Sequence, residues 1–300
     1  MHWLQLHWQV DQTLVDLVDE LLFAQGAVSV TLSDAQDQPL LEPLPGEMPL
    51  WDQAIVTGLF TSDHDSQRLI KQLQQQLPAA AKQAYQVELI EDQDWVRAWQ
   101  AHYRPMAFGQ GALWVCPSHL PPPQPEAVNL RLDPGLAFGT GTHPTTALCL
   151  DWLSDHRMAD HRMADSHALG TVLDFGCGSG ILAIAALLLG ATSATGVDID
   201  PQALTASQTN AEHNQVADQL RLLTAETFTP EPYDIVMANI LATPLINLST
   251  LLKACVKPGG YLVLSGLLHD QAAAVQQAYA PLTFTVTRQD DWVCLIAQSE

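Results

Sequence analysis

A short stretch of the chain carries side chains whose types and spacing suit cofactor chemistry. Asp174 stands two residues before the run Gly176-Cys177-Gly178-Ser179-Gly180, and Asp198 follows some twenty residues later. Glycines at this spacing allow a tight turn and let a ligand come up against backbone N–H groups at a helix start. An acid at the end of the next apolar run can accept hydrogen bonds from a ribose diol. Further on, Asn239 closes the apolar run Tyr233 to Ala238 and offers an amide carbonyl that can accept a hydrogen bond from an amine.

The elements that position these residues are legible around them. Thr171-Val172-Leu173-Asp174-Phe175 reads as a buried strand, Ile181 to Leu189 as an apolar helix stopped by Gly190, and Ala194 to Val197 as a second strand ending at Asp198-Ile199-Asp200-Pro201. Strand, glycine turn, helix and strand make one βαβ unit of a parallel sheet. Two kinds of nucleoside cofactor use such a unit. A dinucleotide sets its pyrophosphate on the helix N-terminus, favours G-x-G-x-x-G, and is repelled by a nearby carboxylate. The pattern here is G-x-G-x-G with Asp174 beside it, which suits S-adenosylmethionine, a donor that has no phosphate and carries an ammonium and a sulfonium. A NAD(P) site and a purely structural turn are the competing readings.

Composition narrows the class. Three hundred residues, 47% of them apolar, supply ample core for one large or two ordinary domains. The charge balance of 12 basic against 33 acidic residues gives a formal −21, which repels nucleic-acid phosphates and attracts basic partners. Cys116, Cys149, Cys177, Cys255 and Cys294 are scattered, with no C-x-x-C pair, so neither a disulfide framework nor a zinc site is expected. The opening Met1-His2-Trp3-Leu4-Gln5 lacks a basic n-region, and no apolar run reaches membrane-spanning length. A reduced, cytoplasmic protein without membrane contact is the expectation.

Residues 1–90 read as β-α-β-β-α-β, the split βαβ or ferredoxin-like arrangement, with Asp11 and Asp65 at the helix starts. Residues 91–108 read as a linker, its helix bearing Trp95 and Trp99 for inter-domain packing and ending at Arg104-Pro105. Residues 109–300 form the cofactor domain. Within it, Ala112–Cys116 and Ala127–Leu132 flank Pro121-Pro122-Pro123-Gln124-Pro125 and predict a hairpin with a rigid loop. The loop from Leu132 to Thr146 holds three glycines and four threonines and reads as a backbone-rich ligand cover. His143, beside Pro144, reads as structural, with a catalytic base as the sharper alternative. His156-Arg157-Met158-Ala159-Asp160 is repeated at once as residues 161–165. It reads as a duplicated surface connection rather than a metal site. Beyond Asp200, helix and strand alternate to give seven strands, with an antiparallel strand expected at the C-terminal edge. A single helix is expected over Leu245–Val256. The crevice should open at the carboxyl ends of the strands that carry Gly176, Asp198 and Asn239.

Across essentially its whole length the chain resembles the ribosomal protein L11 methyltransferases (PrmA family). The resemblance is carried by Leu132 to Thr146, by Asp174 to Gly180 with Ile181-Leu182-Ala183-Ile184-Ala185-Ala186, by Gly196-Val197-Asp198-Ile199-Asp200-Pro201, and by Ala238-Asn239-Ile240-Leu241-Ala242. The resemblance implies a doubly wound seven-stranded class I methyltransferase sheet preceded by a small ferredoxin-like domain that grips the ribosomal protein. It implies methyl transfer from S-adenosylmethionine to N-terminal and lysine amines of a basic large-subunit protein. It also implies that Thr146, Gly176, Asp198 and Asn239 bind the cofactor. No Ser-His-Asp or metal constellation is visible, and no general base is named. The rivals are a nucleic-acid or small-molecule methyltransferase on the same core, and a cofactor-binding protein without turnover.

Overall fold

The computed structural model describes residues 2–36, 38, 50–61, 63–77, 85–91, 103–133, 141–160 and 169–300. The chain divides into two compact units, Met1–Ala101 and His102–Glu300.

In the first unit the elements run β1 (His2–Asp11), α1 (Val15–Ala24), β2 (Ser29–Asp34), β3 (Gln53–Thr61), α2 (Ser66–Gln76) and β4 (Tyr85–Glu91). The four strands form one sheet in the order β2-β3-β1-β4, with every neighbouring pair antiparallel. Alternation in β1 sends Leu4, Leu6, Trp8 and Val10 to one face, where they pack with Val18 and Leu22 of α1 and Leu69 and Leu73 of α2. Local chemistry starts both helical segments. The Asp11 carboxylate accepts from Thr13 N at 3.0 Å, and that of Asp65 accepts from Gln67 N at 3.0 Å. Most of the linker helix expected over residues 91–103 lies outside the described residues.

The second unit opens with three short strands, β5 (Met106–Phe108), β6 (Leu113–Cys116) and β7 (Val128–Arg131). Here the expected hairpin is not what forms: β6 and β7 are parallel, and β6 pairs antiparallel with β5. The proline-bearing connection is long enough to carry the chain back to the start of β6, so β7 runs the same way. The Arg131 guanidinium donates to the carbonyl oxygens of Pro117 and Leu120, which holds that crossover against the strands.

The main sheet comprises, among the described residues, β8 (Thr171–Phe175), β9 (Ser193–Asp198), β10 (Leu220–Thr224), β11 (Tyr233–Asn239), β12 (Val256–Leu268), β13 (Thr285–Gln289) and β14 (Trp292–Gln298). Their order is β10-β9-β8-β11-β12-β14-β13. Strands β8 to β12 are parallel, while β14 runs antiparallel to both β12 and β13. The antiparallel strand thus lies inside the sheet, with β13 at the edge, rather than at the edge itself. The hairpin from β13 to β14 folds back so that the more apolar β14 takes the covered position. Four of five β8 residues are buried, because helices pack on both faces.

The helices of this unit are α3 (Pro144–Asp160), α4 (Ile181–Leu188), α5 (Pro201–His213), α6 (Ala242–Asn247), α7 (Ser249–Ala254) and α8 (Ala272–Ala278). Seven of the eight α4 residues are buried, which accounts for its uniformly apolar sequence. The single helix expected over Leu245–Val256 is instead the pair α6 and α7, separated at Leu248. Helix α3 runs through the first pentapeptide copy, where a surface connection was expected. No glycine or proline interrupts it there, and His156 stacks on Trp152 with ring centroids 4.8 Å apart. The second copy, residues 161–165, lies outside the described residues. No helix among the described residues is long and apolar enough to cross a membrane.

Candidate active site

The carboxyl ends of β8, β9 and β11 meet at a cavity of about 540 Å³, lined by Thr146, Gly176, Asp198 and Asn239 together with Asp174 and His143. All four residues singled out by the resemblance therefore stand around one space.

The glycine turn is pinned from below. Gly176 N and Cys177 N both donate to the Val197 carbonyl, at 2.7 and 3.0 Å, tying the end of β8 to β9. Gly176 has φ of +81°, and a Cβ there would sit 2.3 Å from Ile240 Cγ2, so only glycine fits the approach of the two strand ends. The Ser207 hydroxyl donates to Gly178 O at 2.9 Å, and Asn210 Nδ2 to Ser179 O at 2.9 Å, so α5 holds the far side of the turn.

Asp198 closes β9. One of its carboxylate oxygens accepts from Gly178 N at 2.9 Å and the other from Asp200 N at 3.0 Å. These bonds fix its orientation, and a carboxylate still has lone pairs to offer a ligand.

Asp174 is fully buried. Its Oδ2 accepts from Ala183 N, in the first turn of α4, at 3.1 Å, while Oδ1 has no partner. Burial raises its pKa to about 7 and the Asp198 charge adds to the rise, against the Ala183 N–H bond, which lowers it. A buried carboxyl with a vacant oxygen in a cavity wall fits a cationic ligand group. The shift also carries a stability consequence. The folded chain binds the Asp174 proton more tightly than the unfolded chain, so the stabilisation is complete below pH 3.8, declines as pH rises, and is gone above about pH 7. The loss amounts to about 4 kcal/mol across that window. Urea unfolding of the ligand-free protein at pH 5 and pH 8 should show it, and Asp174→Asn should remove this component. Equal pH slopes for the parent and the variant would refute the assignment.

Thr146 is fully buried in the first turn of α3, and its hydroxyl accepts from Asn239 Nδ2 at 3.2 Å. His143 precedes that helix. Its Nδ1 lies 2.8 Å from the Thr145 hydroxyl and accepts from Thr145 N at 3.4 Å, and its ring meets Trp292 edge-on at 4.7 Å between centroids. Burial lowers its pKa, which favours the neutral ring. With Nδ1 accepting, the ring proton sits on Nε2, and the group is not set up as a base at that nitrogen. The geometry matches the structural reading of His143 as an anchor of the turn. The cover loop is described only at its ends, since residues 134–140 lie outside the described residues.

Ser265 and Gly266 of β12 and Trp292 of β14 were not read from the sequence as part of the site. Gly266 and Trp292 line the cavity, and Ser265 is buried beside it. None belongs to a motif, and their place depends on the sheet order. Among the described residues no group of three or more His, Cys, Asp or Glu side chains is placed to hold a metal ion, and all five cysteines are free and buried.

Comparison with known proteins gives this geometry its context. The family model described as ribosomal protein L11 methyltransferase (PrmA) matches residues 2–300. The chain belongs to the ribosomal protein L11 methyltransferase family. It is 48% identical over 297 residues to the ribosomal protein L11 methyltransferase of Nitrosococcus oceani, covering 98% of each chain. It is 47% identical over 301 residues to that of Shewanella amazonensis, covering 97% of each. Among solved structures it is similar to the ribosomal protein L11 methylase of Lactobacillus delbrueckii subsp. bulgaricus, with a TM-score of 0.56 and 30% identity, over 66% of this chain and 100% of that one. The mixed α/β sheet found here is that of a methyltransferase domain.

Proposed function

We propose that this chain methylates ribosomal protein L11 at N-terminal and lysine amines, with S-adenosylmethionine as the donor held in the cavity of the second unit. The observation that carries the reading is the meeting of Asp174, Asp198 and Asn239 at one cavity, in a chain of the L11 methyltransferase family. The residues present fit the donor. Asp174 Oδ1, buried and unpartnered, suits its cationic part. Asp198 suits the ribose hydroxyls, and the apolar Ile199, 85% exposed at the cavity, suits a flat base. Thr146, Gly176, Asp198 and Asn239 are the proposed cofactor-binding residues. When bound, the donor supplies an electrophilic methyl on a sulfonium, which is already an excellent leaving group.

The protein's own task is to align the amine and strip it of proton and water. A lysine amine of pKa about 10.4 is neutral in only about one molecule in 2,500 at pH 7. An uncharged acceptor such as the Asn239 carbonyl can hold an N–H of the neutral amine and aim its lone pair. The apolar lining from Ile240, Leu241 and Leu248 disfavours a hydrated ammonium.

The first unit is the proposed grip on the ribosomal protein. Its β-α-β-β-α-β order and its β2-β3-β1-β4 antiparallel sheet support reading it as a ferredoxin-like module. The formal charge of −21 favours a basic protein partner and disfavours direct nucleic-acid binding. A ribosomal substrate supports a cytoplasmic site of action.

Incubation with labelled methyl donor and total ribosomal proteins tests the reading. Label should appear on L11 amines, and label confined to RNA or to small molecules would overturn it. A chain starting at residue 102 should bind the donor yet leave L11 unmodified; full L11 methylation by it would remove the first unit's role. For the donor site, a hydrogen bond to a charged group contributes roughly 1.5–3 kcal/mol, so Asp198→Ala should weaken S-adenosylmethionine binding about ten- to a hundredfold. Calorimetry showing unchanged affinity in a folded variant would sink that assignment.

A further inference from the structure

The corner where α3 begins is fastened to two neighbouring strands at matched positions. Asn239 of β11 and Ser265 of β12 are direct register partners at the carboxyl end of the sheet. Asn239 Nδ2 donates to the Thr146 hydroxyl at 3.2 Å. The Ser265 hydroxyl lies 3.2 Å from the Thr145 carbonyl oxygen and 3.1 Å from that of Val293, donating between the two. Thr146 and Ser265 are both fully buried. Asn239 is half-buried and lines the cavity. An amide on a strand end can turn about its last torsion and swap its carbonyl and amino ends at little cost. Here its amino end is engaged with α3, which leaves the carbonyl end for a ligand.

We infer that Thr146 and Ser265 are positioning residues that together hold the Asn239 amide in one orientation and so set the rate of methyl transfer. Thr146 acts directly, through its hydroxyl. Ser265 acts one step removed, by fixing the Thr145 carbonyl and with it the place of the next residue's side chain above Asn239. Thr145 has its own hydroxyl turned to His143, so the corner is held on three sides. The inference rests on the proposed role of Asn239 in aiming the amine. It assigns Ser265 a part in the reaction, and it assigns Thr146 a part beyond contact with the donor.

The experiment compares Thr146→Val, Thr146→Ser and Ser265→Ala with the parent full-length chain. It measures kcat on L11, KM for L11, and donor affinity by calorimetry, with thermal melting as the folding control. Loss of one well-placed hydrogen bond that orients a reacting group should lower kcat about tenfold in Thr146→Val and somewhat less in Ser265→Ala. Donor affinity should stay within about threefold in Ser265→Ala; in Thr146→Val, where the residue also belongs to the proposed donor site, kcat is read at saturating donor, and Thr146→Ser should restore most of it. Introduced into an Asn239→Ala background, neither change should lower the residual rate further, because the group they position is gone. Donor affinity falling while kcat holds, additive losses in that background, or a serine variant as slow as valine would each overturn the inference.

The Asn239 side-chain amide supplies a readout that does not depend on turnover. Its NMR signal, assigned by its disappearance in Asn239→Ala, should be shielded from solvent exchange in the parent and exposed in Thr146→Val. An unchanged signal overturns the clamp even in a fully active enzyme. A parent chain that leaves L11 unlabelled refutes the proposed function and leaves this readout standing.

Discussion

Replacing Asn239 with aspartate should lower turnover on ribosomal protein L11 about a hundredfold at pH 7, with part of the loss returning as pH rises. The substitution nearly conserves shape, and Asn239 ends β11 beside Gly176 in the cavity wall, so the fold should hold. What changes is charge, and the donor to Thr146 is replaced by an acceptor that the Thr146 hydroxyl can meet by donating instead. A carboxylate at that point stabilises the ammonium form of the incoming amine and raises its pKa, which leaves less of the reactive neutral form. Raising the pH replenishes it, so the variant's rate should climb with pH over a range where the parent's rises less steeply. Asn239→Ala loses the acceptor without adding charge and should be slow with no such steep recovery. If both variants turn over like the parent, Asn239 is a turn residue and the transfer geometry is set elsewhere.

Gly266→Ala should damage both stability and activity, because its added methyl meets backbone. Gly266 sits at φ +88°, where a left-handed conformation costs a side-chain-bearing residue roughly 1–2 kcal/mol. Its added Cβ would lie 2.4 Å from the Ile240 carbonyl oxygen and 2.7 Å from its carbon. Those are backbone atoms of the segment that follows Asn239, so no rotamer change relieves the contact. Overpacking of this kind costs about 1–3 kcal/mol more. The sum predicts a melting temperature about 10 °C lower. The residue displaced is the neighbour of Asn239, so activity should fall further than stability alone requires. A variant melting within about 2 °C of the parent at full activity would show that β11 and β12 separate here more easily than their geometry implies.

Much of this site could be read from the chain because each part announces itself locally. Buried parallel strands are near-continuous apolar runs, so Thr171–Phe175 and Tyr233–Asn239 stood out, and Gly176, Asp198 and Asn239 fell at strand ends by counting. Asp11 and Asp65 marked helix starts by the same kind of local chemistry. What failed depended on distant pairing. Nothing near Leu113–Cys116 says whether Val128–Arg131 returns parallel or antiparallel; the crossover and its Arg131 clamp decide that. Helix α3 runs on through residues 156–160, which read as a surface connection because they open a repeat, although His156 has an aromatic surface to stack on. Ser265 and Trp292 sit in ordinary strand sequence, and only the β11-β12-β14 adjacency brings them to Asn239 and His143.

That adjacency has a bearing on synthesis. Strand β14 is made after every other strand of its sheet, yet its place is between β12 and β13. Until it emerges, the far side of β12, with Leu262 and Leu264, has no strand to pair with, and an open apolar edge invites mispairing. Trp292, part of the cavity lining, arrives with it. A ribosome translating this chain therefore carries the glycine turn and both cavity-lining acids through nearly half of the second unit's synthesis while the cavity still lacks a wall. Competence arrives late and all at once, when the β13–β14 hairpin docks, and a nascent chain stalled before Trp292 should expose its sheet edge to chaperones instead of binding the donor.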